Sequence, residues 1–405
     1  FAFELAYKIN EVTPVTTTSL VCATLLSKFS ATKRAVEMDV ASLMQLIESR
    51  NPNALVDRGR PIGESVQIAL NLLVGAEIVE LQGSGVHAKY TIVSENYLPA
   101  VYYANMAIHH LVYRSYVELA LAKAADVKAS ERVLTFWSEI MALRDLFKFE
   151  FFYSRKPLFS DEVEADLALL DPEWQKRLRG RNAKKIQLLQ EQPILVANAV
   201  LTPYIESYRV VARALQQWPD GQEFNESLFL DKCLALGEEM NWQGKVVRAE
   251  AISKPFLVNG LRLAQNRDLI PTPSYRRTKE LQAFLEEIDG VAERMKVLQE
   301  IVLTAPKDVP AVSLPLEREI VPGSKTETVT REIFEGEEGS HIGAFFDLDR
   351  TLIDGFSAKE FFQARLFSGQ MTTREILGQF AGVLVYAMGN QNFAGLAAIA
   401  AKGVA

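Results

Sequence analysis

Residues 78–93, IVELQGSGVHAKYTIV, decide how the first three-quarters of this chain is read. Ile78, Val79, Glu80 and Leu81 make one short run, QGSG at 82–85 supplies a glycine-bearing turn, and HAKYTIV at 87–93 makes a second, β-branched run. Two such runs joined by a short glycine loop predict a β-hairpin. Two helical patterns precede them, so 33–93 reads helix, helix, hairpin.

Outward from the hairpin the chain is helical. Residues 1–30 are apolar and helix-like, with a break at Thr13-Pro14. Residues 97–150 are strongly helical and run into the aromatic series Phe147, Phe149, Phe151, Phe152, Tyr153. Residues 158–190 are charged. Segments 192–217, 224–241 and 246–268 read as amphipathic helices, the last despite Pro255, and a charged helix over about 276–302 closes the series. The fold expected for 1–303 is therefore mainly α, with a small winged-helix-like part at about 33–93. Residues 304–340 differ: Pro306, Pro310, Pro315 and Pro322 punctuate them and acidic residues crowd 332–338, the composition of a linker. After it an apolar run at 342–346 reads as a strand, followed by helical segments to 405. No repeat of fixed period is visible.

Composition bounds the function. The 405 residues are 48% hydrophobic and 23% charged, which excludes a disordered chain and a low-complexity fibre. Lys+Arg number 44 and Asp+Glu 51, a net charge of −7. That balance argues against a nucleic-acid partner, which needs a basic face. Two cysteines, Cys22 and Cys233, make no disulfide scaffold and suit a reducing compartment. The four histidines show no zinc-type spacing with cysteine. No apolar run reaches the roughly 18 residues of a membrane span, and no secretory signal is visible. The chain opens at Phe1 inside a helix-like stretch and stops at Ala405 inside an apolar one, so it reads as a fragment of something longer.

The sharpest local motif is Asp347-Leu348-Asp349-Arg350-Thr351, placed after the apolar strand. This D-x-D-x-T arrangement resembles the haloacid dehalogenase-like phosphatases. On an extended stretch, residues i and i+2 point to the same side. The resemblance implies that Asp347 is the nucleophile attacking phosphorus, Asp349 the acid/base, Thr351 a supporting residue, and that Asp347 and Asp349 hold Mg2+. The bland alternative is a strand end whose acidic residues cap a turn. The resemblance covers 341–405 only and implies the incomplete start of an α/β, Rossmannoid domain. The superfamily's Ser/Thr and Lys on phosphate and its further Asp on magnesium cannot be placed, so phosphatase activity of this chain alone is not expected.

A second resemblance covers about 1–300. ELAYKINEVTPVTTTSLV (4–21), PAVYYANMAIHHLV (99–112), FWSEIMALRDLFKFEFFY (136–153), PYIESYRVVARAL (203–215) and SKPFLVNGLRLAQNRDLI (253–270), in this order, are similar to the carboxy-terminal region of bacterial glycerol-3-phosphate acyltransferases. The resemblance implies acyl transfer from acyl-ACP or acyl-CoA to glycerol 3-phosphate in phospholipid synthesis, without a cofactor, at the cytoplasmic side of the plasma membrane as a peripheral protein. The family's H-x-x-x-x-D pair is a base and its orienter. Five positions after His87, His109, His110 and His341 stand Ile92, Arg114, Ser115 and Phe346, so none fits. The family's Arg pair and E-G-x-x-S block are absent as well. No acyltransferase catalytic residue is carried over, and the chain alone is expected to be inactive.

Other features are weighed against packing. The adjacent His109 and His110 diverge by about 100° on a helix, which favours packing beside Tyr102, Tyr103 and Tyr113 over a shared metal. Lys176, Arg177, Arg179, Arg181, Lys184 and Lys185 form a basic run that suits anionic headgroups, at up to about 1 kcal/mol each, or acidic acyl carrier protein. A solvated charged face is the plainer reading. The helix near 63–74 has Glu64 and no Lys or Arg, so it lacks the contacts of a DNA reader. The aromatic run 147–153 and the apolar tail 377–403 read as core rather than bilayer contacts. The alternative to an enzyme is a non-catalytic docking or membrane-association module of a lipid-synthesis complex, and a winged-helix regulator is the third reading.

Overall fold

The computed structural model describes residues 2–304 apart from 52–53, 56–58, 181–186, 193, 220 and 273–277. In chain order the helices are α1 (Ala2–Val12), α2 (Thr17–Lys28), α3 (Lys33–Arg50), α4 (Ile62–Gly75), α5 (Tyr97–Asn105), α6 (Ile108–Ala125), α7 (Arg132–Leu146), α8 (Lys156–Leu170), α9 (Trp174–Arg179), α10 (Gln187–Gln190), α11 (Ala197–Gln216), α12 (Glu226–Trp242), α13 (Lys254–Asn266) and α14 (Thr278–Thr304). Three short strands, β1 (Ser30–Thr32), β2 (Val79–Gln82) and β3 (Lys89–Ile92), form one antiparallel sheet in the order β1-β3-β2. The described part is mainly α with one small sheet, as the sequence predicts; the linker and the α/β segment expected beyond it lie outside the described residues.

The expected hairpin is present, with Val79 opposite Ile92 and Gln82 opposite Lys89. Its loop is longer than the QGSG turn. Gly83 and Gly85 take φ of +82° and +67°, and a helical turn at Gly85–His87 follows, so the second strand starts at Lys89. Positive φ is why glycine stands at both places. β1 pairs Ser30 with Thr91 and was not anticipated from sequence, because three residues leave no alternation to read. It brings α2 into the same unit: α2 packs on α3, α4 and α5.

Capping fixes several helix starts. Thr16 accepts the N–H of Ser19 at 3.2 Å, Thr32 that of Ala35 at 3.4 Å and Asn225 that of Leu228 at 2.9 Å. Each such cap is worth about 1 kcal/mol. The single helix expected over 246–268 divides instead. A helical turn at Ala249–Ile252 ends at Ser253, and Pro255 falls in the first turn of α13, where its missing N–H costs nothing.

The core forms around α11, which packs against α2, α6, α12, α13 and α14 and buries most of its length. Its Tyr204 and Tyr208 meet the aromatic run. Phe147 stacks on Tyr116 and Tyr208, Phe151 meets Tyr204 edge-on, and Tyr153 exchanges a hydroxyl hydrogen bond with Tyr116 at 2.6 Å. Phe147, Phe151 and Tyr153 are therefore core, whereas Phe149 and Phe152 are exposed. Among the described residues no helix is long and apolar enough to cross a membrane.

Candidate functional site

The phosphatase-like residues Asp347, Asp349 and Thr351 lie outside the described residues, as do Arg181, Lys184 and Lys185 of the basic run. The rest of that run is on α9. Arg177 stands 2.5 Å from Asp171 and 2.8 Å from Glu191, and Lys176 is 3.2 Å from Glu173. Two of the three visible cations are thus matched by carboxylates of their own neighbourhood, and Arg179 is exposed. On α4, Ile68, Leu72 and Val74 are the exposed large hydrophobic residues, and the helix carries no basic side chain.

A cavity of about 410 Å³ lies elsewhere, lined by residues of α1, the end of α3, the first turns of α6, the 151–152 segment and α8. Its polar lining includes Asn10, Glu11, Ser49, Arg50, Asn51, His109, His110 and Glu162. Tyr7 donates its hydroxyl to Glu162 at 3.0 Å, and Ser154 donates to the other oxygen of that carboxylate at 2.6 Å. Asn51 donates to the Glu11 carbonyl at the end of α1. No described residue of α1 is buried, so this wall is held mainly by polar contacts.

The histidine pair faces this cavity. The helical angle predicts divergence, yet the two rings come to 4.1 Å between centroids, with the carbonyls of Asn10 and Thr13 beside them. Burial pushes His109 down to about 4 and His110 to about 3; those carbonyls oppose this only in part. Both imidazoles are uncharged at neutral pH. The Nε2 atoms of both are buried without a hydrogen-bond partner. Among the described residues no group of three His, Cys, Asp or Glu is placed to hold a metal ion. Among the described residues no carboxylate is hydrogen-bonded to either imidazole, the contact that a base–orienter pair requires. The thiols of Cys22 and Cys233 are buried, and that burial pushes both up to about 12, which makes them inert as nucleophiles.

Behind the cavity is a buried charge cluster. Asp166 on α8 has no exposure; Arg50 approaches it at 2.6 Å and Arg114 at 3.1 Å. One turn along α6, the fully buried Glu118 accepts the N–H groups of Val196 at 3.0 Å and Ala197 at 2.8 Å, closing the N-terminus of α11. Burial raises its carboxyl to about 7, against those N–H groups and the charge of Arg114, which favour the anion. Arg50, Glu118 and Asp166 carry no local signature, since their partners are 52 or more residues away.

The match to known proteins covers these elements. Residues 1–272 match the family described as the glycerol-3-phosphate acyltransferase C-terminal region. A relative from Mycobacterium tuberculosis strain H37Rv named "Putative acyltransferase plsB1" is 30% identical over 304 residues, 74% of this chain and 49% of the relative. The same name, identity and coverage hold for a relative from Mycobacterium bovis. The chain spans about half the length of the curated relatives it matches. The matched stretch runs from α1 through α13 and holds the histidine cavity, the Asp166 cluster and the aromatic core together; the chain belongs to the glycerol-3-phosphate acyltransferase C-terminal region family.

Proposed function

We propose that this chain serves as the helical carboxy-terminal unit of a glycerol-3-phosphate O-acyltransferase, which moves an acyl group from acyl-ACP or acyl-CoA to glycerol 3-phosphate. The observation that carries this reading is the family match over 1–272. The acyl-transfer residues are placed outside this chain, because none of its four histidines has an aspartate five positions on. The α6–α11 core, locked by Glu118 and Asp166, then acts as a rigid support for the acyl-transfer part. The basic run from Lys176 to Lys185, with Lys176, Arg177 and Arg179 exposed on α9, would meet anionic headgroups at the cytoplasmic membrane face or the acidic acyl carrier protein. The 347–351 segment would add a magnesium-dependent phosphatase-like function; magnesium there would shield the charge between carboxylate and phosphate.

The test is transfer of labelled acyl groups to glycerol 3-phosphate, run with this chain and with the complete protein. The complete protein should form 1-acylglycerol 3-phosphate and this chain should form none. Turnover by this chain would show that it holds an acyl-transfer site of another design.

A further inference from the structure

The 410 Å³ cavity beside α1 is within the range of small-molecule sites, about 300–1,000 Å³, and joins an apolar wall to a larger set of polar and charged side chains. We propose that it binds an uncharged amphiphile whose head carries hydroxyl groups. This goes beyond the acyl-transfer reading and does not depend on where that reaction takes place.

The argument rests on which polar groups are already used. Glu162 receives the hydroxyls of Tyr7 and Ser154, and Glu11 pairs with Lys8 at 2.5 Å. Arg50 gives Nη1 to the His110 carbonyl at 2.8 Å and Nη2 to Asp166 at 2.6 Å. The groups left open include Nε of Arg50 and Nε2 of His109 and His110, buried and without hydrogen-bond partners, with the carbonyls of Asn10 and Thr13 beside the imidazoles. His110 is the decisive one, a lining residue only 7% exposed. Buried polar atoms of this kind are normally satisfied by a partner. A hydroxyl can donate to an imidazole nitrogen and accept from a guanidinium N–H, which is the combination left open.

Charge narrows the ligand further. An anionic head would meet two carboxylates in the lining, and the one lining guanidinium already pairs with Asp166. A cationic head would find both carboxylates partnered and Arg50 beside it. An uncharged head avoids both costs. The remaining wall, with Tyr113, Phe151, Phe152, Ala165 and Leu169, is apolar and accepts a short chain.

The experiment is titration calorimetry of the whole chain with 1-monooctanoylglycerol below its micellar concentration, beside octyl phosphate and octyltrimethylammonium. The expected result is saturable one-to-one binding of the neutral ligand and none of the other two. Ala165→Phe, at an exposed helix position lining the cavity, should fold normally and abolish binding. His110→Phe should weaken it about tenfold, the value of one hydrogen bond. Equal binding of either charged amphiphile overturns the charge argument. Binding unchanged in both variants places the ligand elsewhere, and absence of saturable heat leaves the cavity to water; each result overturns the proposal.

Discussion

Nη2 of Arg50 stands 2.6 Å from Oδ1 of Asp166, and this contact ties the last turn of α3 to α8 across 116 residues of sequence. Arg114 reaches the other oxygen of the same carboxylate at 3.1 Å, so α6 joins the pair. Asp166 is fully buried and both guanidinium groups are mostly so.

Asp166→Ala should therefore cost about 3–5 kcal/mol, because it strands two buried cations, far above the value of an exposed ion pair. Urea unfolding of Asp166→Ala, Arg50→Met and the double variant checks this. The double variant should be markedly less destabilised than the sum of the two single ones. A loss under about 1 kcal/mol for Asp166→Ala would mean that the cluster behaves like a surface pair.

Gly237 on α12 faces the side chain of Ile252, and a Cβ there would stand 2.9 Å from Ile252 Cγ2. Alanine gains about 1 kcal/mol of helix propensity over glycine. Overpacking costs about 1–3 kcal/mol and should win, so Gly237→Ala lowers stability. In an Ile252→Ala background the same substitution should become stabilising. Thermal unfolding of the four proteins separates the two effects.

Glu150 is a pH handle. Burial raises its carboxyl to about 7, against the hydrogen bonds from Tyr208 at 2.8 Å and Asn259 at 3.0 Å, which favour the anion. The folded protein thus holds this proton more tightly than the unfolded chain. From the ordinary carboxylate range up to about pH 7 the folded state binds more protons, so this group's contribution to stability falls as pH rises, by up to about 1.4 kcal/mol per pH unit. Urea midpoints at pH 5 and pH 7.5 should differ less in Glu150→Gln than in the parent. An unchanged difference would show that Glu150 ionises at its ordinary pKa.

If the proposed phosphatase-like function is present, Asp347→Asn in the complete protein should abolish phosphatase turnover and spare acyl transfer, since the proposal puts the two activities on separate residues. Parallel assays with a phosphomonoester and with labelled acyl donor decide it. Equal loss of both would argue for one shared site or for misfolding.

Most helices were readable because their patterns are local, needing only apolar spacing and a cap such as Thr16 or Asn225, whereas α8, α9 and α10 fall almost wholly in 158–190, which reads from sequence only as charged. The hairpin was readable from two β-branched runs and a glycine loop. β1 was not, since Ser30–Thr32 becomes a strand only by pairing with Thr91, Tyr90 and Lys89. The division at Ser253 escaped the reading for a related reason. Arg248 and Val247 give their N–H groups to Glu206 on α11, at 2.9 and 3.0 Å, which fixes the chain's path just before the helical turn at Ala249–Ile252.

The histidine pair shows the same limit at the cavity. His109 and His110 were visible as a pair, but helical geometry alone gave diverging rings. The rings stand 4.1 Å apart in a setting that includes Asn10 of α1, about a hundred residues earlier. By itself the sequence determined the helical class, the hairpin, the family resemblance and the lack of an H-x-x-x-x-D pair, all of which are properties of order and spacing along one chain. The tertiary structure decided which charges are buried together, which imidazole nitrogens are left without partners and which segments line the cavity. Those depend on desolvation and on contacts between distant segments, and spacing along the chain encodes neither.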